Sequence, residues 1–260
     1  LERFFRGIGK LHMRAPHDRS EMTEILSECV RRSGLREAYV KMTLTRGTPP
    51  PGSRDPRDCE NQFHAFAIPY VWIAPLEKQD RGLHLTVSGV PRIAPESVDP
   101  TVKNFHWGDM VRGLYEAYDW GGDTAVLTDG KGNITEGPGF NIFASIGGLL
   151  ITPADGVLRG ITRKTVIELA ESLNIKVELR TLTEAELRRA GVIFISSTAG
   201  SVLPFTRLDD KPVGVGGPGP LTLRLRQMSC DAHDGGKSVT RIDYLSSPYG
   251  LDGNSNRSPP

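Results

Sequence analysis

Cysteine is scarce in this sequence, with three among 260 residues. Cys29, Cys59 and Cys230 lie far apart and form no CxxC pair. That excludes a disulfide scaffold and a thiolate zinc site, and it fits a reducing, cytoplasmic compartment. A surplus of one charge is also lacking: 32 Lys and Arg stand against 31 Asp and Glu, a net charge of +1. Affinity for a phosphate backbone needs a clustered basic excess, so nucleic acid is excluded as the main partner. No apolar run reaches membrane-spanning length, and no membrane partner is expected. GxGxxG, P-loop and GxSxG patterns are missing, which removes the usual dinucleotide, nucleotide and serine-hydrolase signatures. The six histidines (12, 17, 64, 84, 106 and 233) form no ligand-spaced group, so no metal site is expected.

What is present is 38% hydrophobic and 24% charged, a globular composition long enough for one large core or two modest ones. The chain starts at Leu1 and opens in mid-pattern as "LERFFRGIGKLHM". A missing natural start is the expectation, which leaves a signal peptide open. Ser20 to Arg32 reads as a helix with Ser20 as N-cap and Gly34 as its stop. "AYVKMTL" (38–44), "FHAFAIPYVWIA" (63–74) and "LHLTVSGV" (83–90) alternate like strands, and the proline-rich stretch 48–58 is a loop.

An extended connection at 93–100 then separates a small lobe, 1–92, from a larger one, 101–234, with a disordered tail over 235–260. In the larger lobe 107–119 has helical spacing, and "TAVLTD" and "GFNIFAS" look like paired strands around "GKGN". A helix from about Thr162, a strand at "IKVEL", a small helix at "TEAELRRAG", a buried strand at "VIFISSTAG" and a helix over 221–228 follow. Strands and helices mix without strict alternation, so the fold class is α+β.

Four stretches can carry chemistry. In "TVKNFHWGD" Lys103 sits between a proline-bounded loop and a helix start. Alone it reads as a solvated amine, but Val102, Phe105 and Trp107 flank it, and a dry pocket would lower its pKa and free its lone pair. Glu136 in "ITEGPGFN" lies among glycines that permit close backbone approach, although from this stretch alone a hairpin with a surface Glu is the better reading. "RGITRK" puts Gly160, Ile161 and Thr162 at a helix N-terminus suited to a phosphate. "SSTAG" ends a strand in hydroxyl residues, where Thr198 either caps a turn or binds an anion. A lysine, a distant carboxylate and two anion nests are the inventory of a pyridoxal-phosphate enzyme.

In order and spacing, "TVKNFHWGDMVRG", "LTDGKGNITEGPGFNIF", "GVLRGITRKTVIELA" and "STAGSVLPFTRLDDKPV" resemble the fold-type-IV pyridoxal-phosphate enzymes, the branched-chain and D-amino-acid aminotransferases and their relatives. The wording is most similar to the (R)-selective amine transaminases, and the resemblance runs to about Arg226. It implies a two-lobed α+β fold whose larger lobe has a β-barrel-like core with flanking helices, pyridoxal 5'-phosphate as cofactor, and a homodimer. By the same resemblance Lys103 is the Schiff-base lysine and proton carrier. Glu136 pairs with the pyridine nitrogen, and Arg3, Ile161, Thr162 and Thr198 hold the phosphate. Trp107, Ala199 and Gly200 line the substrate side. Tyr39 and Lys41 occupy a strand where branched-chain enzymes place Tyr-x-Arg and amine transaminases an acidic residue. Arg54 or Arg57 is a mobile carboxylate binder. The activity implied is ping-pong transfer of an amino group from an amine or amino acid to a 2-keto acid. Alternatives are a lyase of the same fold, like aminodeoxychorismate lyase, and a truncated relative without catalysis.

Overall fold

The computed structural model describes residues 1–234 and 239–244, the side chain of residue 234 excepted. The chain divides into two compact units, Leu1–Val71 joined by the described residues 239–244, and a larger one that starts at Trp72.

The smaller unit opens with α1 (Glu2–Lys10), which the periodicity of its short apolar stretch does not announce. Next comes α2 (Arg19–Ser33), closed by Gly34 in the left-handed region at φ 67°. Its N-cap is Asp18, not the expected Ser20. Asp18 accepts from the Glu21 amide while Glu21 accepts from the Asp18 amide, and this reciprocal box satisfies two amides that a serine two residues later would leave open. β1 (Ala38–Thr45) and β2 (Gln62–Pro69) pair antiparallel, in a register that sets Tyr39 opposite Ile68 and Lys41 opposite Phe66. The proline-rich loop between them holds only a short 3-10 turn, Pro56–Asp58. Residues 239–244 pack here as well. The Tyr244 hydroxyl donates to Leu35 O at 2.6 Å, and Arg36 stacks 3.8 Å above the Tyr244 ring. The expected disorder therefore does not hold for 239–244, while 235–238 and 245–260 lie outside the described residues.

The larger unit is built on one eight-stranded sheet. Its strands are β3 (Leu83–Val87), β4 (Thr124–Val126), β5 (Asn141–Ile146), β6 (Leu149–Thr152), β7 (Val177–Leu179), β8 (Val192–Ser197), β9 (Ser201–Leu208) and β10 (Lys211–Pro212). The order across the sheet is β4-β3-β9-β8-β5-β6-β7, with β10 beside β9. This path has its ends at β4 and β7, so the expected α+β fold is met without a closed barrel. The divide after Val71 falls earlier than the expected connection at 93–100, because β3 pairs with β4 and β9 and so belongs to the larger unit. Likewise β4 and β5 do not pair with each other: β4 runs parallel to β3, and β5 lies between β6 and β8. Around the "GKGN" turn the flanking segments meet at the isolated bridge Thr128–Ile134 and through backbone bonds of Leu127 and Asp129.

Alternation along β5 and β8 sorts side chains to two faces. Ile142, Ala144, Ile193 and Ile195 join one buried cluster, which α6 (Glu184–Leu187) enters with Leu187. Phe143 and Phe194, directly opposite in register, stack at 5.0 Å on the other face. There they meet Val166 and Ala170 of α5 (Ile161–Ser172) and Leu225 of α7 (Pro220–Asp234). Two further helices, α3 (Leu76–Arg81) and α4 (Gly108–Asp119), lie before and after the connection that carries Lys103.

Candidate active site

Glu136 is the centre of the site's electrostatics. It follows Ile134 and Thr135, which tie the segment to its neighbours: the Ile134 amide donates to Leu182 O at 2.7 Å and the Thr135 amide to Leu127 O at 2.9 Å. The side chain ends up 6% exposed. One carboxylate oxygen accepts from the Leu158 amide at 2.9 Å and from Asn141 Nδ2 at 3.4 Å, and the other from Arg92 Nη2 at 3.2 Å. Burial pushes the carboxyl up from its ordinary range, against the pull of the Leu158 N–H, of Arg92 and of the Lys103 charge. Lys103, 33 positions away by number, is the weakest of these influences on Glu136.

Lys103 itself is exposed. Among the described residues the dry pocket expected from its flanks is not formed: Val102 is buried, but Phe105 is 70% exposed and Trp107 38%. Trp107 is the N-cap of α4, and its ring faces the Glu136 turn. A methyl at Gly139 would lie 3.7 Å from Trp107 Cη2 and 3.9 Å from Ile73 Cδ1. Ile73 reaches the "SSTAG" stretch, donating its amide to Ala199 O at 2.6 Å and approaching the Gly200 backbone. Ser197 Oγ closes the circuit by donating to Gly139 O at 2.9 Å. Trp107, Ala199 and Gly200 are therefore neighbours around Ile73 and Gly139.

Strand register supplies the rest. Asn141 of β5 faces Ser196 of β8, two residues before Thr198 in the turn that links β8 to β9. Asn141 also touches the start of α5, with Nδ2 donating to Leu158 O at 2.8 Å. The N-cap, Gly160, has no side-chain cap, so the amides of Ile161 and Thr162 stand at a helix start whose first N–H groups lack intrahelical partners. Arg163 lies buried beneath them, donating to Thr152 Oγ1 at 3.1 Å and Pro153 O at 2.5 Å. Burial and the nearby Arg159 pull its guanidinium below the ordinary range while Glu136 opposes that shift. A helix N-terminus above a buried cation is a favourable place for an anion.

Of the expected residues, Lys103, Trp107, Glu136, Ile161, Thr162, Thr198, Ala199 and Gly200 all belong to the larger unit. Arg3, Tyr39, Lys41 and Arg54 belong to the smaller one. Arg3 is half-buried in α1, and burial, then Arg6, lowers its pKa. Lys41 lies 5.9 Å from the Phe66 ring on β2. Arg54 is exposed, whereas Arg57 is held by Asp55. Arg92 lies outside every quoted motif, and Asp109 and Asn141, though inside two of them, were not singled out. Their partners lie far away in sequence, and only a buried-carboxylate argument for Glu136 would have called for them.

The donor set fits pyridoxal phosphate. Glu136 receives three donors on a group with about four lone-pair sites, so it can accept one more N–H. The uncapped α5 start and the Thr198 hydroxyl suit a phosphate, and the Lys103 amine is reachable. Among the described residues no group of three or more His, Cys, Asp and Glu side chains could hold a metal ion, and no helix is long and apolar enough to cross a membrane.

Comparison with known proteins agrees. Residues 1–208 match the family model described as amino-transferase class IV. A Methanocaldococcus jannaschii protein provisionally named a branched-chain-amino-acid aminotransferase is 33% identical over 230 residues, covering 87% of this chain and 78% of the relative. The solved T.th. branched-chain amino acid aminotransferase with pyridoxamine 5'-phosphate superposes with a TM-score of 0.83 at 28% identity, covering 90% of this chain and 77% of that one. The Thermobaculum terrenum enzyme in its PLP-bound holo form gives 0.82 at 26%, covering 90% and 76%.

Proposed function

The chain belongs to the amino-transferase class IV family, and on that premise we propose that it is a pyridoxal-phosphate-dependent transaminase acting on branched-chain-type amino acids and 2-keto acids in a ping-pong course. The observation that carries the reading is the buried Glu136 carboxylate, held by Arg92, Asn141 and the Leu158 amide beside the uncapped start of α5. The branched-chain preference follows the named relatives.

When bound, pyridoxal phosphate supplies an aldehyde for an amine and a ring that accepts an electron pair. Glu136 holds a proton at the ring nitrogen, which makes the ring a better acceptor. The amides of Ile161 and Thr162 and the hydroxyl of Thr198 hold the phosphate. Lys103 would supply the amine that holds the cofactor, and in turnover the same amine would take up and return the proton of the substrate's reacting carbon. Trp107, Ala199 and Gly200 shape the wall beside that carbon. For Arg3, Tyr39, Lys41 and Arg54 the reading rests on the resemblance alone.

A second copy of the chain is the macromolecular partner in this reading. The outer side of α4 shows Val111, Tyr115 and Tyr118 at i, i+4 and i+7, with Phe105 and Trp120 at its ends, all exposed. Apolar stripes of this kind mark association surfaces. Mass in solution should be twice that of one chain, and Tyr115→Asp should shift it toward the single chain.

The activity test is amino transfer from leucine, and separately from an (R)-amine, to 2-ketoglutarate. Keto-acid-dependent turnover with leucine supports the reading. Pyruvate released from an aminodeoxychorismate-type substrate without a keto acid would replace it with the lyase.

A further inference from the structure

Arg92 lies in the segment after β3 and matches no motif, yet it joins two parts of the site. Its side chain is 9% exposed. Nη1 donates to Asp109 Oδ2 at 2.5 Å and Nη2 to Glu136 Oε1 at 3.2 Å. The arrangement is braced by the backbone: the Arg92 amide donates to Thr128 O at 2.8 Å, and the Ile93 amide to the same Asp109 oxygen at 2.7 Å. Asp109 Oδ1 in turn accepts from its neighbour's amide, Met110 N, at 2.8 Å. Asp109 stands in the first turn of α4, two residues after Trp107 and six after Lys103.

We propose that Arg92 is the positioning residue of this site, clamping the Glu136 carboxylate to Asp109 and so fixing the Glu136 turn against the segment that carries Lys103. The inference rests on Glu136 as the partner of the cofactor's ring nitrogen and adds a residue to that assignment. Three side chains alternate negative, positive, negative and leave one net negative charge in a buried place. Such a charge calls for a cation opposite it, which a protonated ring nitrogen supplies.

Without the central guanidinium two carboxylates would face each other with little solvent, and one would take up a proton. Glu136 is the candidate, because burial already favours its neutral form. The charged groups acting on it are Arg92 from the β3–α4 segment, Lys103 from the same connection, and Arg163 from α5. A neutral Glu136 would present an O–H where the ring nitrogen needs an acceptor. Arg92 keeps the acceptor form, and lysine cannot replace it, since one ammonium lacks the fork that spans both carboxylates.

Asp109 sets the opposite sign. It shares Arg92 with Glu136 and adds a like charge, so its removal should leave Glu136 more acidic. The test is therefore a pair of variants, Arg92→Met and Asp109→Asn, each read by infrared difference spectroscopy against its own Glu136→Gln partner. The acid and carboxylate stretches of Glu136 are followed against pH in the cofactor-free protein. Arg92→Met should raise the Glu136 midpoint by about one unit or more and Asp109→Asn should lower it. The dissociation constant for pyridoxal phosphate should rise about tenfold at neutral pH in Arg92→Met, and that rise should vanish in the Glu136→Gln background.

Midpoints that stay put or move in the same direction in both variants would overturn the proposal. So would affinity losses that multiply in the double variant. If Arg92→Met does not fold, Arg92→Lys takes its place with the same sign expected. The infrared arm needs no cofactor, so a protein that binds no pyridoxal phosphate would sink the transaminase reading while leaving the test of Arg92 intact.

Discussion

Gly160→Ala adds one methyl where the structure has no room for it. A Cβ there would sit 2.2 Å from Asn141 Oδ1 and 3.4 Å from Arg163 Cβ. The backbone, at φ −63° and ψ 141°, suits any residue, so the cost is steric and not conformational. Ordinary contact begins near 3.4 Å, so the Asn141 amide must retreat by about 1.2 Å. Its 2.8 Å bond to Leu158 O and its 3.4 Å contact with Glu136 cannot both survive that shift.

Overpacking costs about 1–3 kcal/mol and a lost buried hydrogen bond about 0.5–1.5 kcal/mol. The expected destabilisation is therefore about 2–4 kcal/mol, read as a lower urea midpoint of the cofactor-free protein at unchanged slope. Because Asn141 links the α5 start to Glu136, cofactor affinity should fall as well. Asn141→Gly in the same chain removes the clash and should return part of the stability. A Gly160→Ala protein with the parent's urea midpoint and affinity would refute the wedge.

Other outcomes follow from the same contacts. Phe194→Ala opens a hole opposite Phe143 and should cost about 3–5 kcal/mol in urea unfolding; a cost under about 1 kcal/mol would mean the stacked pair is not part of the core. Glu186 is pulled down to about 2, first by Arg180 and then by the Thr183 amide. Its contribution is present above the ordinary value of 4.5 and is lost as pH falls toward about 2. Glu186→Gln should thus weaken the protein near neutrality and converge with the parent only at about pH 2 or below, and an equal gap at both would contradict the assignment. Gly137→Ala would place a Cβ 2.4 Å from Ala125 O and 2.1 Å from Phe140 Cζ; low soluble yield and a lowered melting temperature are expected, and a parent-like melt would be the contrary result.

Much of the site was legible because its signals are local. A lysine after a proline-bounded loop, a carboxylate among glycines, a glycine-led helix start and a hydroxyl-rich strand end each occupy a few consecutive residues. The helices and strands that carry them were legible for the same reason. Pairing was not. The partners of β4 and β5 depend on which edges meet between segments far apart in the chain, and nothing near "GKGN" records that β3 and β8 claim them.

Pro204 hid β9, since proline argues against an interior strand. The strand tolerates it where β3 begins to pair only at Phe205. Arg92 was missed because its two carboxylates stand 17 and 44 residues away. The exposure of Lys103 was misjudged because apolar neighbours in sequence do not imply a roof in space: Phe105 turns outward, and the Trp107 ring goes to the Gly139 side.

The central claim is that Lys103 bonds pyridoxal phosphate at this site. Purified protein would be mixed with the cofactor, its visible absorbance recorded before and after borohydride, and the reduced protein digested for mass spectrometry, with Lys103→Ala alongside. The account predicts a visible band that borohydride removes and a single cofactor-bearing peptide containing Lys103, both missing from the variant. A band that persists in Lys103→Ala, or cofactor fixed to a different lysine, would contradict it.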